Sequence, residues 1–149
     1  MKIELLAVGK CRDHPIKELL AEYGKRLQYP FSLKEIDGGK RAGAADQEKL
    51  LCEALPKEPH LLIALDERGK SLSSEDFAAH IEKWRDTGPG MLVFCIGGAD
   101  GFSDAFRQKA DFLLSFGKQT WPHMLVRVMM LEQLYRAQQI LAGHPYHRS

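Results

Sequence analysis

Cysteine is scarce in this chain, and the few present do not form a framework. Cys11, Cys52 and Cys95 are odd in number and widely spaced, with no Cys-x-x-Cys and no Cys/His pair at zinc-ligand spacing. A disulfide scaffold and a bound metal are therefore not expected, and Cys95, inside an apolar run, is expected to pack as a small hydrophobe. Long hydrophobic runs are missing too: no stretch approaches the roughly 20 residues that span a bilayer, so no membrane partner is expected. The opening residues Met1 to Leu6 carry Lys2 and Glu4 and lack the basic-then-apolar build of a signal peptide. The cytoplasm is the expected location. Two glycine fingerprints are also absent. No G-x-G-x-x-G follows the first strand-like run, and there is no G-x-x-x-x-G-K-[ST] phosphate loop. A flavodoxin-like or nucleotide-binding domain would need such a loop there, and Gly9-Lys10-Cys11-Arg12-Asp13 gives it little support. Internal repeats, low-complexity tracts and long linkers are lacking as well.

What remains is the make-up of an ordinary globular chain. Its 149 residues, 44% hydrophobic and 28% charged, suit one domain over 1–149 with a real core. The net charge of +1 conceals a regional division. Residues 1–41 hold nine Lys/Arg against six Asp/Glu, residues 42–116 hold eight against thirteen, and residues 117–149 hold four against one. The two ends are basic and the middle is acidic. This is either ordinary surface variation or, if the ends meet in space, a phosphate-binding face.

Strand and helix patterns alternate along the chain. Ile3 to Val8 reads as a strand. His14 to Gln28 has apolar residues at helical spacing, with Ile16, Leu19, Leu20, Tyr23 and Leu27 on one face. Phe31 to Ile36 is a short strand, Gly38 to Gly43 a flexible basic loop, and Ala45 to Ala54 a helix. Leu61 to Leu65 and Met91 to Ile96 are continuous apolar runs, which suit strands buried on both faces of a parallel sheet. The helix between them is capped by Ser73 or Ser74, with Glu75 and Asp76 in its first turn, and stops at Gly88-Pro89-Gly90. A short helix from Asp104 to Ala110 precedes a strand at Asp111 to Ser115. A last helix runs from Pro122 to Leu141, with Pro122 suited to its start and Gly143 to its end. The pattern predicts an α/β fold with a mainly parallel sheet flanked by helices.

Ligands of parallel α/β sheets bind at the carboxyl ends of the strands, and three segments lie just after strands. Leu65 to Ala78 is a dense polar loop directly after a buried strand, or simply a solvated loop with a capped helix behind it. Ile96-Gly97-Gly98-Ala99-Asp100-Gly101-Phe102 carries three glycines that leave room for a ligand beside the backbone. Leu114 to His123 joins the last strand to the last helix, and its backbone amides could hold an adenine edge or a carboxylate. That helix is apolar nearly all round its first turns, so it is expected to be buried on several sides, one of them against a second subunit. Its Arg127, Glu132 and Arg136 are either an interface ion-pair set or a catalytic one. The tail His144-Pro145-Tyr146-His147-Arg148-Ser149 is aromatic, basic and titratable, which suits stacking on bases and contact with phosphate.

Taken together, Met-Lys-Ile-x-x-x-Ala-Val-Gly-Lys, Leu-Asp-Glu-Arg-Gly-Lys-x-x-Ser-Ser-Glu-x-Phe-Ala, Ile-Gly-Gly-Ala-x-Gly, Thr-x-Pro-His, Arg-Val-x-x-x-Glu-Gln-x-Tyr-Arg-Ala and His-Pro-Tyr-His-Arg resemble the ribosomal RNA large subunit methyltransferase H family. The resemblance runs the length of the chain, with the motifs in order. It implies a SPOUT fold, an α/β domain with a C-terminal trefoil knot whose loops form the pocket for S-adenosyl-L-methionine (SAM). It implies a homodimer joined through the C-terminal helix. The implied reaction is methylation at N3 of a pseudouridine in large-subunit ribosomal RNA, on the assembled ribosome, with no metal. Residue by residue, it places Leu65, Gly97 and Gly98 beside the cofactor. Phe116, Gly117, Lys118, Gln119, Thr120 and Trp121 form the backbone cradle around adenosine, although Phe-Gly-Lys-Gln departs from the more Ser/Leu-rich segment of the family. Tyr146, His147 and Arg148 match the terminal residues of RNA binding and methyl transfer, and Arg136 is a further candidate. His147 as proton acceptor, or Arg148 or Arg136 as the cation beside an imide anion, would each serve this chemistry. Related knotted enzymes of transfer RNA, or a non-catalytic ribosome-binding protein on the same fold, are the competing readings.

Overall fold

A computed structural model describes residues 1–37, 39 and 43–148. Of the expected basic loop, Gly38, Lys40, Arg41 and Ala42 lie outside the described residues. In chain order the elements are β1 (Lys2–Val8), α1 (His14–Arg26), β2 (Phe31–Ile36), α2 (Ala44–Glu53), β3 (Leu61–Ser71), α3 (Ser74–Thr87), β4 (Met91–Ile96), α4 (Asp104–Lys109), β5 (Phe112–Ser115) and α5 (His123–Leu141). The strands form one five-stranded sheet in the order β2-β1-β4-β3-β5, and every neighbouring pair is parallel.

Both faces of the sheet are covered, which explains why β1, β4 and the start of β3 are apolar without alternation. Ile3, Leu5, Ala7, Ile63, Leu92 and Phe94 pack on one face with Leu20 of α1, Phe77 and Ile81 of α3, and Met130, Leu131 and Leu134 of α5. The intervening residues Leu6, Val8, Leu62, Ala64, Val93 and Cys95 point the other way, onto Leu51 of α2 and the Phe102–Phe106 pair. Cys95 is fully enclosed, as a small hydrophobe would be, and that burial pushes its thiol well above the usual cysteine range.

The helix ends follow local chemistry. Asp13 accepts from the Ile16 amide and caps α1, Ser73 accepts from the Asp76 amide and caps α3, and Ser103 accepts from the Phe106 amide and caps α4. The basic ends of the chain do meet. α5 packs along α1, Gln138 accepts from the Gln28 amide at 2.7 Å and donates to the Arg26 carbonyl at 3.2 Å, and the Arg26 guanidinium stacks over the rings of Tyr23 and Tyr135. Among the described residues no helix is long and apolar enough to cross a membrane.

One element departs from the sequence reading. The polar loop expected after Leu65 is mostly strand, because β3 continues to Ser71. Leu65 and Lys70 both register with Leu114, so the residues between them bulge out of the β3–β5 ladder before pairing resumes at Ser71 and Ser115. The polarity of Asp66, Glu67 and Arg68 marks a bulge at the sheet end, and short apolar periodicity cannot tell that from a loop. Gly69 is needed where the strand returns, since a Cβ there would lie 2.5 Å from the Leu113 carbonyl carbon and oxygen.

Candidate functional site

A cavity of about 420 Å³ opens at the carboxyl ends of β3, β4 and β5. Its apolar wall is Leu65, Ile96, Leu114 and Val126, and its rim is polar, with Asp66, Glu67 and Arg68 from the bulge, Asp100 from the loop after β4, and Arg107 from α4. Gly97, Gly98 and Gly101 line one side, and Phe116, Gly117, Gln119, Thr120 and Trp121 line the other. Of the nine residues assigned to the cofactor from the sequence, Lys118 alone is absent from the lining.

The glycines are there for space and for backbone shape. A Cβ on Gly97 would sit 3.3 Å from the Phe102 ring, and one on Gly98 would sit 2.9 Å from Gln47 Oε1. Gly117 has φ +103°, a conformation that glycine alone adopts without strain. The turn around it is tied down locally: the Ser115 hydroxyl accepts from the Gly117 amide at 3.0 Å, and the Trp121 indole N–H donates to the Phe116 carbonyl at 3.2 Å. These bonds tie residues 115–121 into a loop.

Arg107 organises the rim. It donates to Asp66 at 3.2 Å, to Asp104 and to the Phe102 carbonyl, and Arg68 lies 3.7 Å from Asp104. The Arg107 hydrogen bond holds the Asp104 carboxyl below the usual carboxylate range. Sequence reasoning passed over Arg107; the available signal was an Asp/Arg pair three residues apart on a short helix just after the glycine loop.

The start of α5 is anchored by a fully buried Arg127. It donates to Glu35 Oε2 at 2.7 Å, to the Val8 carbonyl at 2.8 Å and to the Gly9 carbonyl at 2.7 Å. Glu35 also accepts from the Cys11 amide. This answers the question of Arg127's partner: it pairs with Glu35 of β2 and not with another residue of α5. The bonds fasten the start of α5, with its cavity residues His123 and Val126, to the end of β1. His123 is half-buried, and its imidazole is shifted below the usual histidine range by burial and then by the charge of Arg127.

The tail candidates form a separate cluster. Arg136 donates to Glu132 Oε1 at 3.0 and 2.6 Å, the Tyr146 hydroxyl donates to the same oxygen at 3.1 Å, and the Arg136 guanidinium lies 4.9 Å from the Tyr146 ring centre. His147 lies between Arg136 and Glu75 of α3. Arg148 is exposed. Burial, followed by the charge of Glu132, pushes the Tyr146 phenol up to about 12. Arg136, Tyr146, His147 and Arg148 do not line the glycine-walled cavity. Glu132 instead borders a second cavity of about 530 Å³, which shares Leu114, Phe116 and Gly117 with the first. The structure thus keeps the two groups of candidates apart within one chain.

The chain matches, over residues 1–147, the family model described as predicted SPOUT methyltransferase. It is 50% identical to the ribosomal RNA large subunit methyltransferase H of Rhodospirillum centenum, in an alignment covering 100% of both chains. It is 49% identical to the protein of that name from Paramagnetospirillum magneticum, with 99% of each chain covered. Among solved structures it resembles a probable methyltransferase from Bordetella pertussis at TM-score 0.58 and 14% identity, with 91% of this chain and 93% of that one covered. A probable methylase family protein from Haemophilus influenzae gives TM-score 0.58 at 9% identity, covering 99% of this chain and 70% of that one. At these identities the two structures speak to the fold alone, whereas the full-length relatives and the family model identify the lineage: the chain belongs to the ribosomal RNA large subunit methyltransferase H family of SPOUT methyltransferases.

Proposed function

We propose that this chain, as a single SPOUT domain with a C-terminal trefoil knot, transfers a methyl group from SAM to N3 of a pseudouridine in large-subunit ribosomal RNA on the assembled ribosome. The observation that carries the reading is the glycine-walled cavity at the strand ends, in a family whose relatives are named ribosomal RNA large subunit methyltransferase H.

The residues present fit SAM. The cavity volume falls within the ordinary range for small-molecule sites. Its apolar wall suits the adenine and the methionine chain, and the loop 116–121 offers backbone groups to the adenine edge. SAM carries a sulfonium and an ammonium, and the carboxylates of Glu67 and Asp100 on the rim suit those cations. The depressed basicity of His123 keeps a positive charge off that end of the cavity. When bound, SAM supplies a methyl group already activated by its sulfonium. The chain's own task is to hold N3 in line and to manage its proton. His147 is one candidate for the proton, and Arg148 or Arg136 for stabilising the imide anion.

The tail sits away from the glycine-walled cavity of its own chain. That placement supports a homodimer in which one protomer's Tyr146, His147 and Arg148 complete the other's site. Trp121 and Leu125 stand exposed beside half-buried Met124 at the start of α5, an apolar patch suited to such a contact. The cytoplasm, where ribosomes are, is the corresponding location.

The test is methyl transfer from labelled SAM to whole ribosomes, free large subunits and transfer RNA, each lacking its own modification. Label on whole ribosomes is the expected result. Label on transfer RNA would keep the fold and overturn the substrate. No label, with no SAM binding by calorimetry, would make the chain a non-catalytic member of the fold.

A further inference from the structure

His147 is held from both sides by groups of opposite hydrogen-bonding character. Its Nδ1 lies 3.1 Å from Nη1 of Arg136. A guanidinium has only hydrogens to give, so Nδ1 must be the acceptor. Its Nε2 lies 2.7 Å from Oε1 of Glu75. A carboxylate only accepts, so Nε2 must carry the hydrogen. Arg136 cannot turn away freely, since two bonds fix it to Glu132 Oε1. The Tyr146 hydroxyl occupies that same carboxylate, and the Tyr146 ring meets Tyr135 edge-on at 4.8 Å. Glu75 is placed independently, in the first turn of the capped helix α3. Its hydrogen bond with His147 holds its carboxyl below the usual carboxylate range, so it stays an acceptor.

We infer that Glu75 is a positioning residue for the methyl-transfer tail: with Arg136 it fixes His147 as the neutral tautomer protonated at Nε2 and orients the segment Tyr146 to Arg148. This rests on the reading of the tail given under Proposed function and narrows it. In this arrangement the imidazole's one N–H is engaged by Glu75 and its lone pair by Arg136, so it orients the segment and is not the base. The N3 proton passes to solvent water, with an arginine's charge stabilising the imide anion left behind. The Ser-Ser-Glu segment, a capped helix start when read alone, thereby becomes part of the catalytic apparatus.

The experiment uses the full chain labelled with ¹⁵N-histidine, with the His147 signals assigned by their loss in His147→Gln. In the native protein Nδ1 should show a pyridine-like shift and Nε2 a pyrrole-like one. Glu75→Ala should mix the tautomers and lower turnover on ribosomes by about 10–100-fold, the scale of a misoriented reacting group, with SAM affinity unchanged. Glu75→Gln retains an accepting oxygen and should restore both the tautomer and most of the turnover. Glu75 is half exposed, so both variants should keep the native melting temperature. A native His147 protonated at Nδ1, native turnover in Glu75→Ala, or a Gln variant as impaired as the Ala variant would each overturn the inference. If the native protein methylates no RNA, the functional reading fails, and the nitrogen shifts still decide whether Glu75 sets the tautomer.

Discussion

Arg127 and Glu35 lie 92 residues apart in sequence and 2.7 Å apart in space. The guanidinium is fully buried and also takes up the carbonyls of Val8 and Gly9. One side chain therefore joins the start of α5, the end of β1 and the end of β2. Removing one partner of a buried pair costs about 3–5 kcal/mol, since the other is left uncompensated. Arg127→Ala should lose stability on that scale in chemical denaturation. It should also weaken SAM binding, because His123 and Val126 are carried on the same turn. Glu35→Gln keeps an accepting oxygen and should cost less.

Two glycines near the cavity should respond differently to the same added methyl group. At Gly69 the new Cβ meets the Leu113 backbone at 2.5 Å, which can yield only if β3 and β5 separate. At Gly98 it meets Gln47 Oε1 at 2.9 Å, the far end of a side chain that can swing aside. Gly69→Ala should therefore be destabilised by about 1–3 kcal/mol or more, the usual cost of overpacking, and Gly98→Ala by clearly less. Thermal melts of the two variants, measured together, check the ranking.

Tyr146 gives a signature at alkaline pH. Its phenol is pushed up to about 12 by burial and by the Glu132 carboxylate, against about 10 for an unperturbed tyrosine. A group whose folded value is raised contributes stability that is complete below the unfolded value. That contribution is lost as pH climbs from about 10 towards about 12. Phenolate absorbance should show a late component near pH 12, and Tyr146→Phe should remove that component and the associated alkaline loss of stability.

The fold was legible wherever burial repeats along the chain. The apolar run at Met91, the Ser73 cap and the long last helix each declare themselves through neighbours in sequence, and the structure has them within a residue or two, while the run at Leu61 marks only the start of β3. The β3 bulge was not legible, because its residues are polar for the sake of the cavity rim while their backbone still belongs to the sheet. In the site, the glycines of the β4 loop and the turn at Gly117 announce themselves by residue type. Arg107 and Glu75 do not, and Arg127, a candidate by its place on the last helix, does not announce its partner. Each is an ordinary charged residue of a helix, and its importance comes from a partner brought close by folding: Asp66 for Arg107, Glu35 for Arg127, and His147 for Glu75.

The most direct measurement is to map the methyl group itself. Ribosomes lacking the modification are incubated with the protein and labelled SAM, and the large-subunit RNA is digested to nucleosides and sequenced fragments for mass spectrometry. The account predicts one labelled nucleoside, a pseudouridine methylated at N3, appearing on assembled ribosomes. Label on another base, label only on transfer RNA, or no label despite a folded protein would contradict it.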